Sequence, residues 1–376
     1  MMLINIVIGL IGLGIVVFVH ELGHFLAARL VGVGVDAFSI GWGNPILKKK
    51  IGSVEYRLGM FPIGGYCKMR GETDYNVAWN NMQNNIKPEK GTYLAASPLA
   101  RMLIAFAGPF FNLIFAVIIL SIIWGAGREI NTFTNRITLY SEVISNTKNE
   151  RSFPADRAGL KTGDRIIQIN GRPVNYFHEI HEIVVLNARS SLVMTIDRDG
   201  EIHSLNVTPS LVRKSGAGRI GITNFDSLPI QYRTPVLSVP AAITKGFTES
   251  LKTLAVSLRS LRLLFMGIDL TQAVSGPVRI TYMIGDMATS GFSRSFATGL
   301  RSTFEFIALI SIVLCMMNLL PLPIIDGGMI ILFFVELIRR KPIPPKAVSI
   351  FQGFGMVIIF GLLILAIFGD ILFFFR

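Results

Sequence analysis

Four stretches of the chain are apolar without alternation, and each approaches the roughly 20 residues that a helix needs to cross a bilayer. They run from about Met2 to beyond His24, from Met102 to Trp124, from Phe304 to Leu320 and from Val348 to Phe375. Asn5 is the one polar side chain of the first before His20. Gly353 and Gly355 interrupt the fourth, which membrane helices tolerate. Between the first two, Val54 to Met60 partly alternates, and Gly64-Gly65 and Gly71 mark turns, which predicts a small sheet near the membrane. Non-helical backbone at that depth must be satisfied by protein or by a water-filled cavity.

Residues 126–228 differ in character. Short strand-like runs, Arg165 to Ile169 and Leu192 to Ile196, and turn pairs, Asn170-Gly171 and Asp199-Gly200, predict a soluble domain. From Pro235 to Phe265 the spacing of Ile243, Phe247, Leu251, Leu254 and Leu258 predicts an amphipathic helix. It fits the outer membrane surface and a packed core equally. The expected organisation is a membrane half over 1–125, a soluble domain over 126–228, an amphipathic linker over 229–300 and a second membrane half over 301–376.

Composition supports this division. The 376 residues are 51% hydrophobic and 16% charged, with a mean hydropathy of +0.55, too apolar for an ordinary soluble protein. The net charge of +12 comes without a dense basic run interleaved with aromatics, which argues against nucleic acid and for anionic lipid headgroups. Residues 34–98 carry eight Lys/Arg against five acids, and 331–349 carry Arg339, Arg340, Lys341 and Lys346 against Glu336. With four spans both loops share one side, which the positive-inside rule makes cytoplasmic; 126–300 then faces outward. The N-terminus has no basic stretch before an apolar run too long for a signal peptide, so it is expected to be retained. Cys67 and Cys315 form no metal-type pair and are expected to be buried structural thiols.

His20-Glu21-Leu22-Gly23-His24 ends the first apolar stretch. On a helix the two imidazoles fall on one face, spaced to share a zinc ion, with the Glu between them placed as a general base. Chance matches to this pattern are common in soluble helices. In lipid, three ionisable groups are costly and point to function. A third ligand is required. Asn318 to Gly328 supplies a candidate: two prolines break the helix, Gly327-Gly328 permits close backbone approach, and Asp326 is a lone carboxylate in apolar sequence. Asp326 could cap a helix that resumes at Met329. As an oxygen ligand it would make both anomalies halves of one site. His178, His181 and His203 lie in the soluble region and are expected to be surface or structural.

These motifs occur in the order found in the site-2 protease family of intramembrane zinc metalloproteases. The chain resembles that family through HELGH, Phe61-Pro62-Ile63-Gly64-Gly65-Tyr66, Ala107-Gly108-Pro109-Phe110-Phe111-Asn112 and Asn318 to Gly328. It is most similar to the bacterial regulator-of-sigma-E (RseP-type) branch. The resemblance implies a polytopic α-helical membrane protein with about four transmembrane helices, a membrane-associated β-hairpin loop and one extracytoplasmic PDZ domain. It implies Zn2+ held by His20, His24 and Asp326, with Glu21 activating water. It also implies substrate binding at Asn318 and along the loop at Val54, Tyr56, Leu58, Gly64 and Gly65, where strand addition would grip an unwound peptide. Ala158 to Gly171 and Gly218 to Ile222 resemble one PDZ module where many family members carry two. Ile325 and Met329 depart from the usual Leu and His without removing a ligand. The implied substrates are single-pass membrane proteins such as trimmed anti-sigma factors, and remnant signal peptides, in the bacterial inner membrane with the PDZ domain in the periplasm. A catalytically inactive PDZ-bearing scaffold and a metal transporter are the competing functions. Retention of all four polar residues argues against the first, and the Glu within HExxH against the second.

Overall fold

The structure is a computed structural model that describes residues 2–72, 89–127, 129–143, 153–212, 216–226, 228–264 and 276–374. Contacts divide the chain into two units, one of Met1–Gly125, Ser238–Leu254 and Val274–Arg376, the other of Ala126–Leu237 and Ala255–Ala273.

Among the described residues, four helices of the first unit are long and apolar enough to cross a membrane: α1 (Met2–Leu30), α2 (Pro98–Gly125), and two that follow the second unit, Phe296–Asn318 and Pro345–Phe373. Preceding these last two are α4 (Val239–Leu264) and α5 (Pro277–Phe292), α3 (Phe177–Leu186) being a helix of the second unit. The spans Phe296–Asn318 and Pro345–Phe374 are then α6 and α8, and α7 (Asp326–Arg339) lies between them. Val16, Ala116, Ile119, Ile284, Ile307 and Ile312 form the apolar core between these helices.

The 16-residue α5 lies within the segment expected as a linker. It approaches α1 at backbone distance: a Cβ on Gly9 would strike the Thr281 carbonyl, and one on Gly285 would strike Asn5. Small residues let membrane helices meet in this way. Asp370 of α8 accepts the N–H groups of Gly276 (2.8 Å), Val278 (3.1 Å) and Arg279 (3.2 Å), satisfying donors at the start of α5. On α4, Ile243, Phe247, Leu251 and Leu258 are exposed, whereas Ala242 and Ser250 are buried. Among the described residues most of the patterned stripe is thus uncovered, while Leu254 packs against the helical core.

The loop between α1 and α2 folds as β1 (Val35–Ile51) and β2 (Val54–Met69). Each strand doubles back on itself, with Gly41, Gly43 and Gly64 at positive φ where the chain bends. Residues 37–40 are in register with Lys68 to Gly65 on one side and with Glu55 to Leu58 on the other; Leu47 to Lys50 then pair with Leu58 to Glu55. The result is four rungs in the order 61–69, 35–42, 54–60, 45–51. Two of the loop residues implied to hold substrate, Tyr56 and Leu58, lie in the inner rung. Tyr56 pairs with both Phe38 and Lys49, and Leu58 with both Ile40 and Leu47. Their backbone groups are spent on the sheet itself. Val54 is buried in the core beneath it. Among the described residues the edges with no further strand partner are 61–69 and 45–51.

The second unit contains a four-stranded sheet in the order β4 (Arg172–Pro173), β3 (Arg165–Ile169), β5 (Leu192–Arg198), β6 (Glu201–Val207). The expected turns are present: Asn170-Gly171 (φ 51° and 75°) and Asp199-Gly200 (φ 53° and 92°) both take the left-handed pairs that suit a twisted hairpin. Helix α3 (Phe177–Leu186) contributes Ile180 and Val184 to a core with Ile137, Ile166, Met194 and Ile196. Arg198 donates two 2.8 Å hydrogen bonds to the buried carboxylate of Asp164, tying β5 to the turn before β3.

Candidate metal centre

His20 and His24 lie one turn apart on α1, both buried, with their Nε2 atoms 3.2 Å apart. Asp326 is the first residue of α7; Ile325 holds the cap position, without a side-chain cap bond. The Asp326 carboxylate reaches both histidines, Oδ2 lying 3.2 Å from His20 Nε2 and Oδ1 3.4 Å from His24 Nε2. Among the described residues this is the cluster with metal-binding potential, its three ligand atoms all within 4.8 Å of one another. Zinc bonds of about 2.0–2.1 Å in a tetrahedron imply ligand–ligand edges of about 3.3–3.4 Å. The observed spacings meet that requirement, and the donor set leaves a fourth corner open.

Helix α2 fixes which nitrogen of each histidine faces the cluster. His24 Nδ1 donates to the Ile104 carbonyl at 2.8 Å, which frees Nε2 as the lone-pair donor. Asn112, fully buried, places its amide 3.2 Å from His20 Nδ1, while its Oδ1 has no hydrogen-bond partner. A half-turn of that amide gives Oδ1 a partner and His20 Nδ1–H an acceptor at once. Between the two contacts sits Gly108, where a Cβ would lie 2.8 Å from His20 Cε1 and collide with the His24 ring. Residues 104, 108 and 112 therefore form one face of α2 matched to the two imidazoles.

The turn into α7 is as tightly constrained. Cβ atoms on Gly327 and Gly328 would strike the carbonyls of Leu320 and Leu322. Ile324 is held at φ +79°, a left-handed conformation that costs a β-branched residue on the order of 1–3 kcal/mol. Asn318, the last residue of α6, brings Nδ2 to 3.3 Å from His20 Nε2. Glu21 lies beside the sheet, its carboxylate hydrogen-bonded by the Cys67 backbone, and a Cβ on Gly65 would come within 3.3 Å of Glu21 Cγ. The free edge 61–69 thus runs past Glu21. Gly64 and Gly65 are on that edge, whereas Tyr56 and Leu58 line a cavity on the other side of the 35–42 rung. Burial pushes the Cys67 thiol far above the ordinary range, consistent with an inert structural group.

The sequence profile of peptidase family M50 matches residues 8–362. The chain belongs to peptidase family M50. It is 34% identical to a Treponema pallidum protein named "Putative zinc metalloprotease", over an alignment of 454 residues that covers all of both chains. It is 32% identical to Metalloprotease MmpA of Caulobacter vibrioides, over 98% of this chain and 96% of that one. A Campylobacter jejuni relative, also named as a zinc metalloprotease, is 32% identical over 94% of this chain and 90% of its own. M50 peptidases are zinc-dependent, and this member has four candidate membrane spans.

Sequence reasoning assigned no site role to Ile104, Gly108 or Asn112 of this M50 peptidase. Their four-residue spacing, equal to that of His20 and His24, was the available signal. Elsewhere His178 hydrogen-bonds Thr132 at 2.8 Å, and His203 lies 3.6 Å from Glu201.

Proposed function

We propose that the chain is an intramembrane endopeptidase that cleaves transmembrane segments of single-pass membrane proteins. The observation that carries this reading is the tetrahedral spacing of His20, His24 and Asp326 at the buried end of a hydrophobic helix, with Glu21 beside a free sheet edge. Bound there by the three side chains, Zn2+ supplies Lewis-acid chemistry, polarising a carbonyl and acidifying water.

The remaining steps fall to the chain's own residues. The edge 61–69 pairs with the backbone of an unwound substrate and holds it extended. Glu21 takes a proton from the attacking water onto a carboxylate oxygen and passes it to the departing amide nitrogen. Ile104 and Asn112 keep both Nδ1 atoms engaged, so that both Nε2 atoms stay aimed at the metal position. Asn318 lies where its amide steadies the substrate backbone.

The substrates that suit this design are trimmed anti-sigma factors and remnant signal peptides in a bacterial inner membrane. The second unit, read as a PDZ domain on the periplasmic side, turns away partners with bulky outer domains. The deciding experiment is Glu21→Gln. Zinc content should be unchanged, and peptide cleavage should fall by about 10²–10⁴. Cleavage near the unaltered rate would remove Glu21 from the chemistry.

A further inference from the structure

Helix α1 turns His20 and His24 toward the metal site and a different face toward an open cavity. Phe18, Leu22 and Phe25 form one wall of that cavity, which has a volume of about 650 Å³. Phe38, Ile40 and Tyr56 of the sheet form the other. Its cationic lining comes from Lys48, Lys49 and Arg57. A second cavity of about 570 Å³ shares Phe18 and Ile40 and continues along α1 past Gly14 to Val7, lined wholly by apolar residues. Gly14 has nothing within 4 Å of where a Cβ would stand. The two cavities thus make one groove, apolar along its length and cationic at one end only.

The cations are not equally free. Arg57 donates from Nε to Glu55 at 3.0 Å and from Nη1 to the Tyr66 hydroxyl at 2.9 Å, so it and the nearest carboxylate satisfy each other. Lys48 and Lys49 are exposed and form no ion pair among the described residues. Phe25 is five residues from Leu30, where α1 ends, or about 7.5 Å along the axis. The two lysines therefore stand near the depth of lipid headgroups, and the groove runs from them toward the middle of the bilayer.

We propose that this groove binds an anionic phospholipid of the leaflet on the hairpin side, its headgroup on Lys48 and Lys49 and an acyl chain along Phe18, Leu22 and Phe25. A transmembrane helix is the competing occupant, and charge decides between them. The loops on this side of the protein are rich in Lys and Arg. By the same rule a membrane partner carries Lys and Arg on its own flank here, and the lysines would repel it. Anionic headgroups are attracted. Position points the same way, because the free edge assigned to substrate, 61–69, is separated from the cavity by the 35–42 rung. The site and the charge argument stand on their own residues; the argument from position alone rests on the peptidase reading.

The test uses the full-length protein in detergent micelles. Native mass spectrometry is run with equimolar phosphatidylglycerol and phosphatidylcholine of identical acyl chains. The unaltered protein should retain phosphatidylglycerol over phosphatidylcholine by about fivefold or more. Lys48→Gln with Lys49→Gln should abolish the preference, while Lys341→Gln with Lys346→Gln, away from the groove, should leave it. Gly14→Leu extends a side chain into the open groove and should lower retention of both lipids. Equal binding of the two lipids by the unaltered protein would overturn the proposal, as would a preference that survives the Lys48/Lys49 change. Lysine-dependent displacement of phosphatidylglycerol by a transmembrane peptide with an acidic flank would also overturn it, in favour of a protein partner. Zinc content measured on the same samples reports the metal site separately.

Discussion

In the unit of residues 126–237, order is written locally. Asn170-Gly171 sets one turn and Asp199-Gly200 another, and the strands they join carry their own inward residues, Ile166, Met194 and Ile196. In the helical unit the decisive contacts join distant parts of the chain. His20 meets Asn112, 92 positions away, and Asn318, 298 positions away. The unit of residues 126–237 can lose a contact and lose only stability. The helical unit uses its packing to aim nitrogen and oxygen atoms at one point, so a lost contact there is read out as chemistry.

The largest effect that would break this contrast concerns Asp326→Ala. Zinc-site binding energies of about 10–16 kcal/mol spread over four ligands assign roughly 3 kcal/mol to each, a hundredfold or more in affinity. Competition with a chelator should show that loss, with hydrogen exchange in 126–237 unchanged. Retention of zinc through mild chelation would make Asp326 a helix-terminal group instead.

Next in size is Ile196→Ala, which opens a cavity in the core of the second unit. Local opening of that unit should become easier by about 2–5 kcal/mol in hydrogen exchange, while zinc affinity stays fixed. A parallel fall in zinc affinity would mean that the units share their stability.

Asn112→Leu sharpens the comparison from the other side. It keeps the volume but removes the acceptor for His20 Nδ1–H. Zinc affinity should weaken by about 10–100-fold, and Asn112→Asp, which retains an acceptor, should recover much of it. A purely structural role would lower stability in both variants and move zinc affinity in neither.

The smallest effect on the metal is expected from deleting 132–227. Zinc binding and cleavage of a short substrate should persist, and the preference for a trimmed over a full-length substrate should relax. A preference of unchanged strength after deletion would sink the filter reading.

Legibility followed the same division. The membrane spans were visible because lipid demands uninterrupted apolar runs, and the hairpin turns because few residues tolerate positive φ. HELGH and Asp326 could be singled out because charge in apolar sequence needs an explanation. Helix α5 was hidden: at 16 residues it is too short to span, and what holds it to α1 is the absence of side chains at Gly9 and Gly285. Asn112 was quoted as part of a motif, yet its aim at His20 depends on how two helices lie against each other. The doubling of β1 and β2 was hidden too, since alternation marks a strand but does not say how many neighbours it has.

That doubling bears on inhibitor design. Among the described residues rung 54–60 is paired on both sides and rung 61–69 on one, so if substrate pairs with that edge as proposed, a peptide mimic has a single row of backbone partners beside Glu21. Its hydrogen-bonding groups belong on one long side, with the zinc-binding group at the position that passes the Glu21 carboxylate. The opposite side can be closed by N-methylation or a ring without loss of contact. A compound built to bridge two strands would find the second already taken.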